Sequence, residues 1–228
     1  MKIAIVTYYD DKERYILGQK RQKQSLIDVG FEGDYFAFNS FGEINSPSHL
    51  EIPYAFKPYA IKKVKDMGYD IVIWMDSPVY AIKKLNKFIE ETINRSVVFF
   101  DNIGYTIGDY TSDQCLNHLN MKRNEAFDNQ MIMACLMAFD FTSKLANEIL
   151  NDYLNSTEVF KGDWTNEANQ VSIDNRVKGH RHDQSVMSIL ANKYNIKILH
   201  PHSTYFAYFG NPGHLPHANS VCLLSAGY

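Results

Sequence analysis

Asp76, Ser77 and Pro78 follow directly on an apolar run, Ile71–Met75. Such a run predicts a central strand covered on both faces. The polar triplet then lies just past the carboxyl end of that strand, where open α/β sheets bind ligands. A carboxylate delivered there is placed to hold a divalent cation against a diphosphate. The same residues also suit an ordinary turn, in which Asp is favoured. A second cluster, Gly179-His180-Arg181-His182-Asp183-Gln184, opens a helix. Helix N-termini offer free N–H groups and attract anions. Asp183 could simply cap that helix, but a cap needs none of His180, Arg181 and His182 beside it. A third cluster, Thr7–Asp11, follows the first strand. In α/β nucleotide folds that loop touches base and ribose, although neither a glycine-rich dinucleotide fingerprint nor a P-loop is present. The tail adds His200, His202, His214 and His217. His200 and His202 with a carboxylate could form a zinc site, although a single histidine in such a tail is more often a loop residue than a ligand. Asp101 and Asp128, with Gln130, are further polar groups after buried segments, readable as acceptor-side groups or as structural ones.

The elements that position these residues alternate between strand and helix, which predicts an α/β fold with a mostly parallel sheet. Strands are expected at Ile3–Thr7, Tyr35–Phe38, Tyr69–Met75, Val97–Phe100 and Ile196–Leu199. Helices are expected at Glu13–Val29 (closed by Gly30), Phe56–Met67, Ile82–Ile93 and from Thr111 or Ser112 to about Met121. Two more are expected at Thr142–Leu154, capped by Thr142, and at Asp183–Tyr194, capped by Asp183. Gln130–Phe139 reads as either element, with strand favoured for its second half. Asn155–Gly179 reads as a long surface loop, of the kind that is usually functional or mobile. No internal repeat and no linker divides the chain, so one domain is expected.

Composition narrows the function class. Hydrophobic residues make up 45% of the 228 and charged residues 21%, which marks a globular chain. The net charge of -3, with no dense basic tract, argues against nucleic acid as a partner. The nearest basic run, Lys20-Arg21-Gln22-Lys23, reads as the solvated face of a helix. Cys115, Cys135 and Cys222 form no C-x-x-C pair, which suggests a reducing compartment. With no secretory signal and no run of membrane-spanning length, a cytoplasmic location is expected, a peripheral membrane position included.

Taken together and in order, these segments resemble the GT-A-fold glycosyltransferases, which move a sugar from a nucleotide diphosphate to an acceptor hydroxyl. The matching pieces are Ile3-Ala4-Ile5-Val6-Thr7, then Phe56-Lys57-Pro58-Tyr59 opening a helix. Asp70 to Pro78 looks like the family's strand leading to its D-x-D motif, and Arg181-His182-Asp183-Gln184-Ser185-Val186 like its Asp-Gln segment. The overall look is similar to small bacterial, phage or algal-virus sugar transferases. The resemblance implies a single GT-A-like domain, with a nucleotide-binding half at about 1–105 and an acceptor half at about 106–228. It implies a nucleotide-sugar donor, a UDP-sugar favoured, and a glycan or other hydroxyl acceptor. Nucleotide contacts would come from Thr7, Tyr8, Tyr9, Lys57, Asp76 and Ser77, and sugar or phosphate contacts from Arg181, His182 and Asp183. Asp183 and Gln184 would be catalytic. Mn²⁺ or Mg²⁺ would be held by Asp76 with a tail histidine, His202 or His214. Pro78 stands where the second Asp of D-x-D belongs, so either Asp76 with a tail histidine holds the cation, or the enzyme works without metal, or it is degenerate, with a weakened metal site favoured. Two rivals stay open: a sugar-nucleotide- or glycan-binding protein without catalysis, for which Pro78 speaks, and a metal-dependent hydrolase using His200, His202 and Asp76.

Overall fold

The computed structural model describes residues 1–209 and 219–226. In chain order the elements are β1 (Ile3–Tyr8), α1 (Glu13–Asp28), β2 (Asp34–Phe38), α2 (Phe56–Asp66), β3 (Ile71–Met75), β4 (Val79–Ala81) and α3 (Asn86–Arg95). They continue with β5 (Val97–Thr106), α4 (Asp113–His118), α5 (Arg123–Asp128), β6 (Gln130–Asp140), α6 (Lys144–Asn155), α7 (Asp183–Lys193), β7 (Phe206–Phe209) and β8 (Leu223–Ala226).

The central sheet has the order β2-β1-β3-β6-β5. β1 pairs parallel with β2 and β3, while β6 runs antiparallel between β3 and β5. Only β6 opposes the common direction, so the carboxyl ends of the others gather along one edge. β3 sits in the middle with every residue buried, as its unbroken apolar run predicts. Val72 and Trp74 pack on one face against Ile61 and Val64 of α2, Ile149 of α6 and Ile189 of α7. Ile71, Ile73 and Met75 pack on the other against Leu26 of α1 and Phe88 of α3. The segment readable either way, 130–139, is strand along its whole length. Ile132, Met137 and Phe139 serve one face and Met133, Leu136 and Ala138 the other.

Several expectations are corrected by tertiary packing. Gln22 is fully buried, because its amide donates to the carbonyls of Asp76 (3.0 Å) and Val79 (2.8 Å) and so props the turn after β3. Ile82 lies outside α3, and Ile93 is on its outer side; Leu85 and Phe88 carry the contact instead. Ser143, not Thr142, caps α6 by accepting from the Leu145 amide (3.2 Å); the Thr142 hydroxyl donates to Asp140. Residues 196–199 make a single parallel bridge, Leu199 to Phe100, rather than a strand. The expected surface loop 155–179 contains a short 3-10 turn, Thr157–Phe160, with Val159 and Phe160 buried in the core. The tail, for which no element is expected from sequence, supplies β7 and β8 of a second sheet in the order β4-β8-β7. Among the described residues no helix is long and apolar enough to cross a membrane. All three cysteines are free.

Candidate functional site

One buried ammonium joins the two carboxylate clusters that the sequence singles out. Lys57 lies in the first turn of α2, which Pro58 favours with its fixed φ. Its Nζ is 3.2 Å from Asp76 Oδ1 and 3.0 Å from Asp183 Oδ2, and it donates to the Ala134 carbonyl at 3.0 Å. That carbonyl is free because β6 slips in register against β5 between Val98 and Phe100. Asp76 is held from both sides: its N–H donates to Cys135 O (2.8 Å), and the Trp74 indole N–H donates to Oδ1 (2.7 Å). Tyr153 donates to Asp183 Oδ2 at 3.4 Å. Burial disfavours the lysine charge, but Asp183 and Asp76 outweigh it and hold the ammonium above the ordinary lysine value. Burial likewise pushes the Asp183 carboxyl up, against the pull of Lys57 and with the push of Asp76. The two carboxylates are not equivalent. The Asp76 side chain is 31% exposed and that of Asp183 is 5% exposed, so Asp76 faces the solvent side of the triad.

Two cavities meet at this triad. The first, about 460 Å³, is lined by residues between Tyr8 and Pro78, all from the chain's first third. Its wall is aromatic: Tyr8 stacks on Phe41 and Phe56 with ring centres 5.1 and 4.6 Å apart. Lys12, Arg14 and Asp10 line it as well. The second, about 370 Å³, is lined by Asn102, Tyr110, Trp164, Arg181, Asp183, Gln184 and Tyr208, among others. Lys57, Asp76 and Tyr54 line both. Tyr54 holds a left-handed backbone (φ 60°), a conformation that costs about 1–3 kcal/mol for a non-glycine residue. Its ring stacks on His182, with ring centres 5.4 Å apart, and burial pushes its hydroxyl up to about 12.

The far wall of the second cavity is built by the segment before α7. Arg181 lies against two rings, its guanidinium carbon 4.3 Å from the Tyr110 ring centre and 4.5 Å from that of Trp164. Gly179 permits this approach, since a Cβ there would fall 1.9 Å from the Trp164 carbonyl oxygen. Underneath, His180 Nδ1 accepts from the Ser112 amide (3.2 Å) while Nε2 faces the Val159 carbonyl (3.0 Å). Burial pushes His180 down to about 3, so it is neutral. His182 donates from Nδ1 to Phe160 O (2.7 Å) and is likewise lowered by burial.

The sequence-predicted residues divide accordingly. Tyr8, Tyr9, Lys57, Asp76 and Ser77 line the first cavity, and Lys57, Asp76, Arg181, Asp183 and Gln184 line the second. Thr7 is fully buried in β1 and lines neither. His182 is buried behind Tyr54 and Trp164 and also lines neither. Asp183 is the first residue of α7 and His182 occupies the cap position, so Asp183 does not cap: its carboxylate turns to Lys57. Asp101, Asp128, Gln130 and His200 line a separate cavity of about 550 Å³. A wider concavity of about 1060 Å³ lies by α4 and α5, where Arg123 already pairs with Asp113 and Arg176 with Asp174. Sequence reasoning missed Tyr54, Tyr110, Trp164 and Tyr208. Only their residue type hinted at a role, and nothing local ties them together.

A divalent cation fits these residues poorly. Asp76 already carries Lys57 on one oxygen, and Asp183 is tied to the same ammonium. Among the described residues no three His, Cys, Asp or Glu side chains converge as ligands. His202 sits in the turn before β7 and lines neither cavity. His214 and His217 lie outside the described residues. The same facts remove the basis for a zinc hydrolase centre on His200, His202 and Asp76.

No protein-family model matches the sequence, and no curated protein matches it significantly. Solved structures do match. The bifunctional glycosyltransferase WbbM superposes with a TM-score of 0.58 at 12% identity, over 100% of this chain and 46% of WbbM, so this chain spans a little under half of that protein. A glycosyltransferase involved in glycosylation of the major capsid of PBCV-1 gives 0.56 at 15% identity, over 99% of this chain and 93% of the other. Mouse xyloside xylosyltransferase 1 gives 0.55 at 10% identity, over 99% and 98%. At such identities the likeness concerns architecture: the chain has a GT-A-like glycosyltransferase fold.

Proposed function

We propose that the chain is a glycosyltransferase that takes a sugar from a nucleoside diphosphate donor, a UDP-sugar favoured, to a glycan or other hydroxyl acceptor. The observation that carries this reading is the pair of cavities joined at Lys57, Asp76 and Asp183, one aromatic and one polar. The base packs on the Tyr8, Phe41 and Phe56 wall, where stacking contributes roughly 1–3 kcal/mol. The diphosphate crosses the waist and the sugar enters the second cavity. There Tyr105, Tyr110 and Trp164 offer ring faces and Asn102 and Gln184 offer amides to hydroxyl groups. The nucleotide half is then the chain to about residue 105, and the acceptor half is the remainder.

Asp183 is the base in this reading. It takes the proton of the acceptor hydroxyl as that oxygen bonds to the anomeric carbon, while the bond from that carbon to the phosphate oxygen breaks and its electron pair leaves with the diphosphate. Burial raises its pKa above the ordinary carboxylate value, which strengthens it as a proton acceptor. Gln184, whose amide donates to Ile132 O (2.6 Å), positions its carbonyl oxygen toward the same cavity.

The test is a panel of nucleoside diphosphate sugars in thermal shift, followed by a diphosphate-release assay. One donor should raise the melting point by mass action, and Asp76→Ala should cut its binding or turnover about tenfold or more with the fold intact. A panel with no shift overturns the proposal. Binding without turnover favours the non-catalytic reading, which Pro78 supports.

A further inference from the structure

The waist of the cleft holds two fixed carboxylates, Asp76 and Asp183, and two fixed cations, Lys57 and Arg181. Where a divalent ion serves such a site, its two charges balance the carboxylates and present positive charge to the phosphates. In this chain those tasks fall to different side chains. Lys57 spends its N–H groups on Asp76, Asp183 and the Ala134 carbonyl, so it neutralises protein groups and has none left for a ligand. Arg181 is the complement. Among the described residues its guanidinium has no carboxylate partner; its carbon lies 4.3 and 4.5 Å from the Tyr110 and Trp164 ring centres, and the residue lines the second cavity. A planar guanidinium meets phosphate oxygens two at a time. At position 78, where a second carboxylate would grip a cation, the chain has Pro78, and its carbonyl accepts from Arg21 at 2.9 Å.

We propose that Lys57 and Arg181 together replace the divalent cation: Lys57 bridges Asp76 and Asp183 and balances one of their two charges, and Arg181 balances the other, binds the donor diphosphate and takes up the charge that grows on it as it leaves. Two carboxylates against two monovalent cations leave the waist neutral before the donor arrives, so donor binding needs no metal ion. This inference rests on the donor reading above.

Calorimetric titration of the full chain with UDP, GDP, CDP and dTDP, in EDTA and again in excess Mn²⁺, separates the possibilities. At least one diphosphate should bind, with affinities in the two media agreeing within a factor of about two. Arg181→Ala should weaken that binding about tenfold or more in both media. Electron paramagnetic resonance gives a readout independent of nucleotide. Wild type should leave the free Mn²⁺ signal undiminished, whereas Lys57→Met, which frees both carboxylates, should deplete it. If Lys57→Met does not fold, Arg181→Ala and the EDTA comparison still decide. Binding lost in EDTA and restored by Mn²⁺, or unchanged by Arg181→Ala, overturns this inference and leaves the transferase reading standing. No binding in either medium overturns both.

Discussion

The two cavities that share Lys57 are built by different means. The first rests on strand ends: Tyr8 closes β1, Asp76 follows β3, and stacked rings fill the space between them. Its charges stand toward solvent, as in the Lys12–Asp10 pair at 3.4 Å. The second rests on a segment with little regular structure before α7. Its Asp183 carboxylate is buried, and two neutral histidines hold its floor. The difference follows the roles proposed for them. A donor base needs area and stacking, which the half-buried rings of Tyr8, Phe41 and Phe56 supply. Bond exchange needs fixed charge in a dry setting, which buried groups supply.

The sharpest way to break this division is Asp183→Asn. If the second cavity is where the chemistry occurs, turnover should fall by about 100- to 10,000-fold, while donor affinity stays within a few-fold. Asparagine keeps the shape and an oxygen for Lys57, and Asp76 still balances the ammonium. Steady-state rates beside calorimetric donor affinity check it. A loss confined to affinity makes Asp183 an anchor for the sugar and moves the base elsewhere.

A second substitution probes the other side. Tyr8→Ala removes a ring from the first wall, and loss of one stacking partner costs roughly 1–3 kcal/mol. The Michaelis constant for donor should rise about tenfold with turnover at saturation nearly unchanged. Should saturated turnover fall instead, the division of labour between the cavities is wrong.

The same contrast sets what could be read from the sequence. Asp76 was legible because a short apolar run ending in a polar triplet has few meanings in an α/β chain. Asp183 was legible as a member of a polar cluster, but not in its partner: Lys57 lies 126 positions away, and no local pattern connects them. Strand β3 shows itself as a short apolar run bounded by polar residues, and helix α7 by its apolar spacing. Strand β6 is longer, and with both of its faces covered alternation vanishes, so its run suits a helix as well. The second sheet escaped notice because β4 has three residues, and β7 and β8 have four each. The segment 155–179 read as solvent-exposed because its polar residues outnumber Val159 and Phe160, the two that anchor it. Where function rests on strand ends, composition and order point to it; where it rests on long-range ion pairs and ring contacts, they do not.

The smallest expected effect concerns acid. His180 is held neutral by burial with its pKa down to about 3, and His182 is lowered in the same sense. In the unfolded chain both sit near the ordinary value of about 6.5. Above that pH neither state binds the proton, and their contribution is fully present. Below it the unfolded chain takes up protons that the native state refuses, so stability falls as pH drops, by about 1.4 kcal/mol per pH unit for His180 and in the same direction for His182. Asp183 opposes this, because its raised carboxyl takes up a proton in the native state above the unfolded carboxylate value. His180, with its pKa down to about 3, contributes its full slope throughout about pH 6.5 to 5. Urea unfolding at steps through that window should show it, and His180→Gln should remove about one proton's share. Both histidines lie under the second cavity, so hydrogen exchange on acidification should quicken first in 157–185 and later in 3–38, which holds no histidine. Equal quickening of both segments would mean that the histidines stabilise the chain as a whole, and that the second cavity has no acid-sensitive floor of its own.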